Sequence, residues 1–213
     1  MKAYIIGSGG FAKEVLRLLF DIHGIYDFKG FIDYEPQLKN IFADGQEWPV
    51  LDESEFLRDN NPVSEDIALF LGIGDPKKNS EIIDKYNGFN FPNLIHPTFT
   101  GSSKSIKIGN GNIITAGCVF TVDIKIGSYN IFNLSSTVGH DSVIGNFNVI
   151  NPGVNISGGV IIGDRNLLGV NSTVLQYLNI GDNSILGAGA VLTKDLLSNA
   201  LAVGIPAKVL KQL

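Results

Sequence analysis

Residues 126–150 read IGSYNIFNLSSTVGHDSVIGNFNVI, and every sixth residue from Ile126 is large and apolar: Phe132, Val138, Ile144 and Ile150. The step continues unbroken in both directions, through Ile108, Ile114 and Phe120 before it and Ile156, Ile162, Leu168, Val174, Ile180, Leu186 and Leu192 after it. With 44% of the chain apolar, such a run arises by chance only about a few times in a million in any one frame. A second period sits on the first, because Ile-Gly recurs at Ile108, Ile126, Ile144, Ile162 and Ile180. Six is not a helical period, and the longer step is three sixes. The economical solution is a triangular coil of three short strands, each donating one inward aliphatic, with small residues at the corners. Successive coils then pair in parallel at ~4.8 Å, so five of them make a prism about 24 Å tall.

The pattern is similar to the hexapeptide repeat of the left-handed parallel β-helix. That resemblance supplies the hand, against the usual right-handed crossover preference. The whole chain has 213 residues, 25 of them Gly, with 16 Lys+Arg against 21 Asp+Glu and a net charge of −5. This length allows one domain or two small ones. The mildly acidic balance argues against a protein that mainly grips nucleic acid or an anionic membrane. Cys118 stands alone, which excludes an internal disulfide framework and a Cys-based zinc cluster, and we expect no metal. No apolar run is long enough for a membrane span or a signal h-region. We therefore expect a soluble cytoplasmic protein in which the Asn-x-Ser/Thr triplets at Asn133, Asn155 and Asn171 are turn residues.

The first ninety residues read differently. Tyr4-Ile5-Ile6 predicts a short buried strand, followed by Gly7-Ser8-Gly9-Gly10-Phe11-Ala12 and a helical apolar pattern from Lys13 to Phe20. A second strand, Phe28 to Ile32, ends in Asp33. Strand, glycine-rich turn, helix, strand and acid make a βαβ unit with the G-x-G-x-x-A form of the dinucleotide fingerprint. The glycines let the backbone approach a phosphate, and the helix N-terminus favours its charge. Asp33 could accept hydrogen bonds from a ribose or a base. A short helix over Asp52 to Arg58, a strand over Ala68 to Ile73, a helix over Lys77 to Tyr86 and a strand over Phe91 to Leu94 are expected next. His96-Pro97 and a polar linker through Lys104 follow. Gly74 ends a strand, where ligands of open α/β sheets collect. A NAD site, a nucleotide-sugar site and a tight turn without a ligand all fit the fingerprint. The expected architecture is a Rossmann-like α/β domain over residues 1–96 and an all-β left-handed parallel β-helix over residues 97–213.

Only three histidines are available for proton transfer. His23 reads as a helix cap or surface residue, and His96 as structural. His140 is different, because it lies at a corner or outer face of the prism, directly before Asp141. A histidine can take a proton near neutral pH, and an adjacent carboxylate raises its basicity and fixes its tautomer. The competing reading is a polar turn residue. Gly158-Gly159 interrupts the prism one coil beyond His140, either as a simple bulge or as a backbone N–H aimed at a developing oxyanion.

Together, Gly7 to Glu14, Phe31-Ile32-Asp33, the hexapeptide repeats, Val138-Gly139-His140-Asp141 and the ending Val203-Gly204-Ile205-Pro206-Ala207-Lys208 resemble a known group. It is the bacterial sugar acetyltransferases of the sialic acid O-acetyltransferase and nucleotide-aminosugar N-acetyltransferase family. The resemblance implies a nucleotide-sugar substrate held at Gly9, Gly10, Phe11, Asp33, Tyr34 and Gly74. It implies His140 as general base supported by Asp141, with the Gly158 N–H facing the oxyanion. Acetyl-CoA as co-substrate would lie along Val149, Val170 and Ala188, with a C-terminal acetyl-CoA-binding segment in the β-helix domain. A homotrimer with active sites shared between neighbouring prisms is also implied. The sequence departs from relatives at Phe11, Tyr34 and Val149.

The resulting expectation is an acetyl-CoA-dependent N-acetyltransferase of a nucleotide-linked amino-deoxysugar, such as a 4-amino-4,6-dideoxy sugar, in surface glycan biosynthesis. O-acetylation of a sialic-acid-like sugar is the nearest alternative. From other classes, a NAD-dependent oxidoreductase would use Gly7 to Ala12 and Asp33 but leave His140 without a task. A γ-type carbonic anhydrase would need more coil histidines than this chain has, and a non-catalytic scaffold would tolerate loss of His140.

Overall fold

The computed structural model describes residues 1–22, 24–62 and 66–213, so His23 lies outside the described residues. The N-terminal part opens with β1 (Lys2–Ile6), α1 (Gly10–Asp21) and β2 (Asp27–Asp33). A hairpin of β3 (Asn40–Ala43) and β4 (Gln46–Asp52), helix α2 (Glu53–Asp59), β5 (Ile67–Leu71) and α3 (Pro76–Lys85) complete it. The sheet order is β3-β4-β2-β1-β5, parallel throughout except that β3 runs antiparallel to β4. Helix α1 forms because Ala12, Val15, Leu16 and Leu19 recur at helical spacing and bury one face on the sheet. Its N-cap is Gly9, which offers no side chain to the first-turn amides. Asp52 caps α2 and Asp75 caps α3, each accepting two backbone N–H groups.

Two features differ from the sequence expectation. The β3–β4 hairpin was not anticipated; its turn is Asp44-Gly45, with both residues at positive φ as a primed two-residue turn requires. The strand expected over Phe91 to Leu94 is only Leu94–Ile95, and it pairs with Ile113–Ile114. It is therefore the first rung of the prism and not a last strand of the α/β sheet. The polar stretch after it also joins the coil, because the Phe120 N–H donates to the Thr100 carbonyl at 2.8 Å.

The rest is a left-handed parallel β-helix with three faces. The first face stacks Ile106–Ile108, Ile124–Ile126, Val143–Ile144, Ile161–Ile162 and Asn179–Ile180. The second runs from Leu94–Ile95 up to Ala200–Val203 and closes with the antiparallel strand Lys208–Gln212. The third stacks Val119–Phe120, Thr137–Val138, Asn155–Ile156, Thr173–Val174 and Val191–Leu192. Each residue pairs with the one a full coil later, as in Ile126 with Ile144 and Ile144 with Ile162. The sixth-residue column from Ile114 to Leu192 is buried throughout, and only Ile108, at the open first rung, is half-buried.

One corner carries a buried ladder that the apolar count does not reveal. Asn112, Asn130, Asn148 and Asn166 lie directly above one another, and each side-chain oxygen accepts the backbone N–H of the next rung. Ile113, Ile131 and Val149 point outward from the second face into the core of the α/β part. This apolar seam fixes where the two parts meet.

Candidate active site

The carboxyl ends of β1, β2 and β5 open into a cavity of about 370 Å³. Gly9, Gly10, Phe11, Asp33, Tyr34 and Gly74 all line it, so the six residues expected to bind substrate are brought together. The start of α1 points into it with uncapped amides, a favourable place for an anion. Asp33 accepts a hydrogen bond from the Ser8 hydroxyl, which closes the glycine turn onto the end of β2. Three charged residues that sequence reasoning missed share the cavity: Glu53, Lys78 and Lys85. Glu53 is buried at the start of α2 and accepts from Lys85 Nζ at 2.8 Å and Tyr86 Oη at 3.3 Å. Lys85 also lies 5.0 Å from the centroid of the Tyr34 ring. A signal for the lysines existed, since Lys78, Ile82 and Lys85 recur at helical spacing and so share one face of α3.

His140 occupies the corner between the third-face strand Thr137–Val138 and the first-face strand Val143–Ile144. Asp141 adopts φ +60°, and this turn brings its Oδ2 to 2.7 Å from His140 Nδ1. With Nδ1 engaged as donor to the carboxylate, Nε2 is left with a lone pair, the arrangement of a general base. The ring lies over Gly158. A Cβ at that position would stand 2.6 Å from Cε1 and 2.8 Å from Cδ2, with Nε2 nearer still, so a glycine is needed for the ring to rest there. The expected interruption by Gly158-Gly159 is not found. The strands on either side keep the regular one-coil pairing, and the Gly159 N–H donates to the His140 carbonyl at 2.7 Å. The Gly158 N–H has no acceptor among the described residues.

Comparison with known proteins fits both parts. The family model "PglD N-terminal domain" matches residues 2–86, and "Hexapeptide repeat of succinyl-transferase" matches residues 159–194. Among solved structures, PerB from Caulobacter crescentus in complex with CoA and GDP-perosamine is 31% identical. The match covers 99% of this chain and 98% of that one, with a TM-score of 0.87. The chain belongs to the bacterial sugar acetyltransferases. The acetyltransferase domain of PglB from Neisseria gonorrhoeae, in complex with acetyl coenzyme A, is 27% identical over 98% of both chains, with a TM-score of 0.87. WeeI from Acinetobacter baumannii is 25% identical over 99% of this chain and 100% of that one, with a TM-score of 0.82. Variants of perosamine N-acetyltransferase with one histidine changed to asparagine or alanine have been crystallised with CoA and GDP-perosamine. No curated protein sequence gives a significant match.

Against this family frame, the three residues expected along acetyl-CoA separate. Val149 is 1% exposed and packs in the seam with the α/β part, so it has no surface to offer a groove. Val170 and Ala188 do stack, both exposed, on the corner between the second and third faces, where the Gly189 N–H donates to the Val170 carbonyl at 2.8 Å. That corner and the His140 corner are opposite edges of the third face, roughly 15–20 Å apart for a six-residue segment. Among the described residues, no helix is long and apolar enough to cross a membrane.

Proposed function

We propose that this acetyltransferase transfers the acetyl group of acetyl-CoA to the amine of a nucleotide-linked amino-deoxysugar, of the 4-amino-4,6-dideoxy type, for surface glycans made in the cytoplasm. The observation that carries the reading is His140, held at Nδ1 by Asp141 and open at Nε2 above Gly158. It occurs in a chain that aligns end to end with a protein crystallised with CoA and GDP-perosamine. On this reading residues 1–96 hold the nucleotide, with the α1 N-terminus, Lys78 and Lys85 facing its phosphates. Residues 97–213 carry the transfer.

The amine attacks the thioester carbonyl while His140 Nε2 removes its proton. The Gly158 N–H donates to the oxygen that becomes negative. Collapse breaks the carbon–sulfur bond, and the proton on His140 passes to the departing thiolate, leaving amide and CoA. The separation of the His140 corner from Val170 and Ala188 supports a homotrimer, in which threefold packing lays one subunit's base against the next subunit's donor groove.

The test is thiol release from acetyl-CoA across GDP-, UDP-, dTDP- and CMP-linked sugars with amino or hydroxyl acceptors, beside His140→Ala. Turnover with an amino sugar, reduced about 10²–10⁴-fold in the variant at unchanged melting temperature, is expected. Turnover confined to hydroxyl acceptors would move the reading to O-acetylation. Activity retained by the variant would remove His140 as base.

A further inference from the structure

Four residues stack on the turn position beside the His140 corner: Asp123, Asp141, Gly159 and Tyr177, of which the non-glycine members all have φ near +60°. A bulky side chain seldom takes that conformation, and where one does its ring usually repays the strain by packing. Tyr129 and Phe147 do so elsewhere in the prism, stacked on each other at 5.1 Å. Tyr177 does not: it is 70% exposed and has no aromatic partner among the described residues. Its ring instead leans back over Gly159, where a Cβ would come within 2.5 Å of Cε1.

The two adjacent glycines therefore form a floor without side chains. His140 lies on Gly158 from the N-terminal side, and Tyr177 lies on Gly159 from the C-terminal side. The floor also carries the Gly158 N–H, which has no acceptor among the described residues. The α/β part packs on the second face, away from this corner, and the start of its third helix (Asp75-Pro76) lies beside Arg165, Leu167, Asn183 and Ile185, on the coils around Tyr177. Val170 and Ala188, exposed and stacked on the opposite edge of the third face, lie on the coils before and after Tyr177, so in the threefold packing above the Tyr177 corner would meet the neighbouring subunit's Val170–Ala188 edge at its own level.

We propose that Tyr177 is a positioning residue for the acyl donor, its ring forming the wall against which the thioester end of acetyl-CoA packs when its carbonyl sits over Gly158. The proposal rests on the acetyltransferase reading above. Only the ring face is used, so Tyr177→Phe is expected to behave as the parent and Tyr177→Ala is not.

The experiment titrates CoA alone calorimetrically into the parent protein and both variants, then measures KM for each substrate and checks the oligomer by sedimentation. Tyr177→Ala should weaken CoA binding and raise the acetyl-CoA KM about tenfold, with the sugar KM within about twofold and the oligomer unchanged. Tyr177→Phe should restore parental values. Unchanged CoA affinity in Tyr177→Ala, a rise confined to the sugar KM, or dissociation of the oligomer would each overturn the assignment. A parent that binds no CoA would instead sink the acetyltransferase reading itself.

Discussion

Replacing Gly158 with alanine adds one methyl group beneath the His140 ring and leaves the backbone N–H in place. The added Cβ would lie 2.6 Å from Cε1 and 2.8 Å from Cδ2, whereas carbon contacts settle near ~3.5 Å. The ring must therefore retreat by about 1 Å, pivoting away from the point where a substrate amine meets Nε2. A displacement of about 1 Å in a reacting group costs about 10²-fold in rate, or ~2.7 kcal/mol of transition-state stabilisation. The fold should tolerate the change: Gly158 is not at positive φ, and the His140 side chain is 51% exposed and can swing outward. Stability is expected to fall by less than ~1 kcal/mol.

The assay is kcat/KM for thiol release beside a thermal melt. A double-mutant cycle adds the deciding control. On a His140→Ala background the methyl has no ring to displace, so Gly158→Ala should cost nothing further. Activity of Gly158→Ala within about threefold of the parent, or an equal loss with and without the ring, would refute the argument that Gly158 acts by seating His140.

Two further expectations concern stability. Asn130 donates from Nδ2 to Asn112 Oδ1 at 3.0 Å and to the Gly145 carbonyl at 2.9 Å, and its Oδ1 accepts from the Asn148 N–H at 2.9 Å. Asn130→Ala strands these buried partners and should cost about 3 kcal/mol, a fall of roughly 6–12 °C in melting temperature; a fall under ~2 °C would show the ladder to be dispensable. The second concerns alkaline pH, because burial and then the neighbouring Glu53 carboxylate hold the Tyr86 phenol well above its ordinary range. A raised folded-state pKa means the stabilisation is fully present below the unfolded value near ~10 and is lost as pH rises beyond it. Melting temperature should therefore drop between about pH 9 and pH 11, and the drop should shrink in Tyr86→Phe; identical slopes would remove Tyr86 as its cause.

The unanticipated features have physical reasons. The β3–β4 hairpin went unread because β3 is an edge strand with only Ala43 buried, so it carries no apolar alternation, although Asp44-Gly45 is a hairpin signal. Val149 was expected along acetyl-CoA only because the family resemblance implies it there. Which prism face is covered by the α/β part depends on packing between segments distant in sequence, and that packing buries it. Glu53, Lys78 and Lys85 reach the cavity at the sheet end because α2 and α3 fold back over it; helical spacing puts both lysines on one face of α3 but does not say where that face comes to lie.

The prism is legible from residue spacing alone, because burying one residue per short strand imposes a strict six-residue period. The glycine-rich turn after β1 and the one-coil separation of His140 from Gly158 were legible for the same reason, since local spacing sets both. Tertiary structure alone decided that the ring of His140 rests on Gly158, that Tyr177 faces it across the glycine floor, and that His140 and Val170 stand on opposite edges of one face. Those relations depend on side-chain direction and on contacts between coils, which residue spacing does not encode.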